Sequence, residues 1–69
     1  MQNDKDALNR ARTRAYDLAD TGEYDTWDGV AAQLAGEGMD EALVKRLGHD
    51  QLFLIMLMRR IGYARDRQG

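Results

Sequence analysis

The chain has 69 residues and a formal net charge of −2, and it contains no cysteine, proline or serine. That length holds one domain, spanning 1–69, near the lower limit for folding without staples. Disulfides, cysteine-ligated zinc or iron–sulfur centres, and serine or cysteine nucleophiles are thereby excluded.

Alanine, leucine, arginine and aspartate are abundant and β-branched residues are sparse. This composition predicts an all-α protein, a small bundle of about four helices. The opening Met1-Gln2-Asn3-Asp4-Lys5-Asp6 is charged and polar, unlike a signal peptide, and the longest apolar run falls short of the ~20 residues of a membrane span. The expectation is a soluble, cytoplasmic protein without membrane contact. Charge is uneven: residues 1–19 sum to +1, residues 20–50 to −6 and residues 51–69 to +3. An acidic middle between more basic ends can pair within one molecule, pair between two, or face a basic partner; a solvated surface is the simplest account.

A first helix is predicted over 4–21, capped by Asn3 or Asp4 and stopped by Gly22. Ala7, Leu8, Ala11, Ala15, Leu18 and Ala19 fall on one arc roughly 120° wide, and its alanines allow close approach of another helix. Asp25 or Thr26 caps a second helix over 26–37. Its buried face is Trp27, Val30, Ala31 and Leu34, and Gly36-Glu37-Gly38 ends it.

Asp40 caps a short third helix over 41–47, with Leu43, Val44 and Leu47 inward and Gly48 as its stop. Asp50 caps a fourth helix over 51–65. This helix carries seven consecutive apolar residues, Leu52 to Met58, a third of the 21 apolar residues larger than alanine. One stripe suffices for a surface helix of a monomer, yet these two turns are apolar in every direction. Phe53, Leu54, Leu57, Ile61 and Ala64 share one face, Leu52, Met56 and Tyr63 another, and Ile55 and Met58 fill the remaining side.

The stretch Gly22-x-Tyr24-x-x-Trp27, followed by Leu34-x-x-Glu37-Gly38, extends a pattern that begins with Arg12, Ala15, Leu18 and Ala19. It resembles a group of short bacterial helical proteins of no established function. The resemblance covers about residues 10–65. It implies a small helical fold and supplies no activity, ligand or catalytic residue. The apolar run of the terminal helix is heavier here than in that group.

Other constellations have simple packing accounts. Val30–Ala35 and Leu43–Leu47 suggest a helix-turn-helix. The Gly36–Asp40 turn is longer than the usual one, however, and Asp40-Glu41 would meet phosphates with the wrong sign. Nucleic acid is therefore not the expected partner. Arg10 and Arg14 have ion-pair partners along their own helix in Asp6 and Asp17. Arg59, Arg60, Arg65 and Arg67 read as a solvated helix end well placed against the helix dipole.

Tyr24 and Trp27 read as a staple and a core anchor. The lone His49 precedes a cap, and Glu23, Asp25 and Asp28 serve capping better than metal binding. No enzyme, metal or cofactor is expected.

The core is predicted to contain Leu18, Trp27, Val30, Leu34, Leu43, Leu47, Phe53, Leu57 and Ile61. Three short alanine-rich helices offer too little apolar area to cover every side of the fourth. Leu52, Ile55, Met56 and Met58 are therefore the expected interface of a homodimer, or of an association with a partner protein. The alternative is a nucleic-acid-linked regulator, either a degenerate helix-turn-helix binder or an acidic mimic that blocks a basic protein.

Overall fold

A computed structural model describes residues 4–68. Four helices follow in order: α1 (Asp4–Asp20), α2 (Trp27–Gly36), α3 (Glu41–Gly48) and α4 (Gln51–Gln68). The all-α class holds, with no strand among the described residues. The candidate cap Asn3 lies outside the described residues. Every pair of helices is in contact, and α1 against α4 forms the most extensive packing.

The ends of the helices show which local rules operate. α1 closes at Asp20, one residue before the expected Thr21, because Thr21 folds back: its hydroxyl donates to the Leu18 carbonyl at 2.7 Å. Gly22 then takes φ +77°, the left-handed region that glycine enters without cost. Thr26 is the N-cap of α2, yet it makes no side-chain cap bond.

The end of α2 is a Schellman motif. Met39 N–H donates to the Leu34 carbonyl at 3.1 Å, Gly38 N–H donates to that of Ala35 at 3.0 Å, and Gly38 has φ +89°. Met39 is thereby folded back against the core cluster that contains Leu34. Asp40 caps α3 as expected, accepting from Ala42 N–H at 2.9 Å.

Gly48 is not the stop of α3 but its last helical residue, with His49 as C-cap. Its missing side chain serves packing instead. A Cβ on Gly48 would lie 3.1 Å from Trp27 Nε1, so the indole occupies that space. This contact turns the Gly48, Val44 and Leu47 edge of α3 inward. Leu47 is fully buried and Val44 is packed on the core, whereas Leu43, expected inside, is only half-buried and stands outside the core cluster.

The core consists of Ala11, Ala15, Leu18 and Ala19 of α1, Val30 and Leu34 of α2, Leu47 of α3, and Phe53, Leu57 and Ile61 of α4. Trp27 is half-buried at its edge rather than central. The alanine arc of α1 lets α4 come close, so Phe53 reaches both Tyr16 (ring centroids 5.4 Å) and Trp27 (5.6 Å, edge-on at 88°). No side-chain nitrogen or oxygen is buried without a partner among the described residues.

Candidate interaction surface

Asp50 sets the start of α4. Its Oδ1 accepts from Phe53 N–H at 3.1 Å and its Oδ2 from Arg12 at 3.1 Å. The Phe53 N–H, and then the Arg12 guanidinium, hold the Asp50 carboxyl below its ordinary pKa. With that register, Phe53, Leu57, Ile61 and Ala64 point inward and are buried, and Leu54 is half-buried.

All four residues expected at an interface lie on the outside. Leu52 is 72% exposed, Ile55 54%, Met56 45% and Met58 43%, and Tyr63, at 67%, continues the Leu52 and Met56 side. Tyr63 was not singled out as an interface residue, although its place three turns beyond Leu52 puts it on that stripe. Five large apolar side chains of one helix are thus exposed.

Two shallow depressions border this face. One is lined by Leu54, Ile55, Met58 and Arg59, the other by Arg12, Tyr16, Asp50, Leu52, Phe53 and Met56. The first is almost wholly apolar apart from Arg59, which forms no ion pair among the described residues.

Several charges elsewhere pair within the molecule. Arg14 does not pair with Asp17 as expected; it grips Glu37 with two hydrogen bonds, Nε to Oε1 at 2.9 Å and a terminal nitrogen to Oε2 at 2.6 Å. These bonds, aided by Gln33, lower the Glu37 pKa to about 2. Arg60 bonds Asp20 at 3.0 Å and stands over the Tyr16 ring at 4.4 Å. Arg65 pairs with Asp25.

Arg60 and Arg65 are therefore not merely a solvated helix end: they tie α4 to the end of α1 and to the connection that follows it. The acidic middle and the basic ends meet within one copy through Arg12, Arg14, Arg60 and Arg65.

His49 is exposed at the end of α3, and among the described residues no group of three or more histidines and carboxylates is placed to hold a metal ion. No described helix is long and apolar enough to cross a membrane. No protein-family model, curated protein or solved structure matches the chain.

Proposed function

We propose that this protein is a small, non-enzymatic helical interaction module that self-associates through the outward face of α4. The observation that carries the reading is the exposure of Leu52, Ile55, Met56 and Met58 on a helix whose opposite face is already buried. Burial of apolar surface contributes about 25 cal/mol per Å², and a second copy presenting the same patch offers it to both chains. Five exposed apolar side chains per copy are few beside the roughly 20–30 residues a side of a standard interface, so the dimer is weak and concentration-dependent.

The nucleic-acid reading has less support. The acidic residues Asp20, Asp25, Glu37 and Asp50 are engaged by arginines of their own chain, which weakens both an acidic mimic and a basic groove. On α3, Lys45 is paired with Glu41.

The test is light scattering on the eluting peak of the wild type, Ile55→Asp and Met56→Asp, with circular dichroism on each. The mass of the wild type rises above one chain as the loaded concentration is raised, and both variants stay folded monomers at every load. Folded variants whose mass rises with load as the wild type's does contradict the reading.

A further inference from the structure

We draw no further inference here: the strongest candidate, the cleft where α1 meets the junction of α3 and α4, lined by Leu8, Arg12, Arg46, Leu47, His49 and Asp50, carries nothing, because Arg12 is already held by Asn9 and Asp50, Arg46 and His49 are exposed, and no buried side-chain nitrogen or oxygen among the described residues lacks a partner.

Discussion

The Phe53 ring meets the Trp27 indole edge-on, with centroids 5.6 Å apart and planes at 88°. Phe53 is the third residue after the Asp50 cap, and Trp27 opens α2, so this pair joins the starts of two helices. It also accounts for the sidedness of α4. Once Phe53 is directed to Trp27 and Tyr16, Leu57 and Ile61 follow it inward, and Leu52, Ile55 and Met58 are turned out.

Phe53→Ala therefore removes the centre of the core. Truncating a buried phenylalanine costs about 3–5 kcal/mol, as much as the ~3–5 kcal/mol that a core of this size supplies. The variant is expected to be largely unfolded at 25 °C by circular dichroism. Ile61→Val, at about 0.5–1.5 kcal/mol, remains folded with a lower denaturant midpoint. A cooperatively folded Phe53→Ala would show that the core does not depend on this ring.

Acid weakens the fold through Glu37. Its pKa is lower in the folded chain than its ordinary 4.5, at about 2, because Arg14 and Gln33 bond the ionised form. The unfolded chain therefore takes up a proton first as pH falls. The contribution of Glu37 is complete above about 4.5 and is lost toward 2. Asp50, also lowered, acts in the same direction. Urea unfolding at several pH values between 6 and 2 should show stability declining over that window, and less steeply for Glu37→Gln. Equal slopes in the two proteins would contradict the role of Glu37.

Two roles of Asp50 are separable by substitution. Asp50→Asn keeps an oxygen that can accept from Phe53 N–H while removing the charge opposite Arg12; Asp50→Ala removes both. Loss of an N-cap costs about 0.5–2 kcal/mol, and a solvent-accessible ion pair is worth only about 0–1 kcal/mol. Chemical denaturation should thus find Asp50→Ala clearly weaker than Asp50→Asn. Equal losses would assign the stability to the charge instead of the cap.

Glycines 36 and 48 should respond differently to alanine. A Cβ on Gly36 meets nothing within 4 Å, so Gly36→Ala stabilises by about 0.4–1 kcal/mol through the unfolded state. A Cβ on Gly48 lies 3.1 Å from Trp27 Nε1 and must displace the indole. Gly48→Ala is expected to gain less or to destabilise, with a shift in tryptophan fluorescence. An equal gain at both positions would show that the Trp27–Gly48 contact carries no strain on substitution.

Local chemistry was legible in the sequence and long-range pairing was not. Asp40 and Asp50 cap the helices they precede because capping needs only neighbours in the chain. The outward position of Leu52, Ile55, Met56 and Met58 followed from an excess of apolar residues over one stripe. Arg14 was assigned to Asp17, three residues away. It instead reaches Glu37, twenty-three residues on, since helix packing brings that carboxylate to both guanidinium edges. Leu43 looks equivalent to Val44 on the isolated α3, and only the packing of the helices distinguishes them: Val44 lies against the core cluster and Leu43 outside it.

The central claim is that the outward face of α4 joins two copies. Sedimentation equilibrium over a concentration series reaching roughly 1 mM tests it most directly. The predicted result is a mass rising with concentration from 7.8 kDa toward twice that value, with Ile55→Asp folded and fixed at one chain. A wild type that stays at 7.8 kDa across the whole series would contradict it.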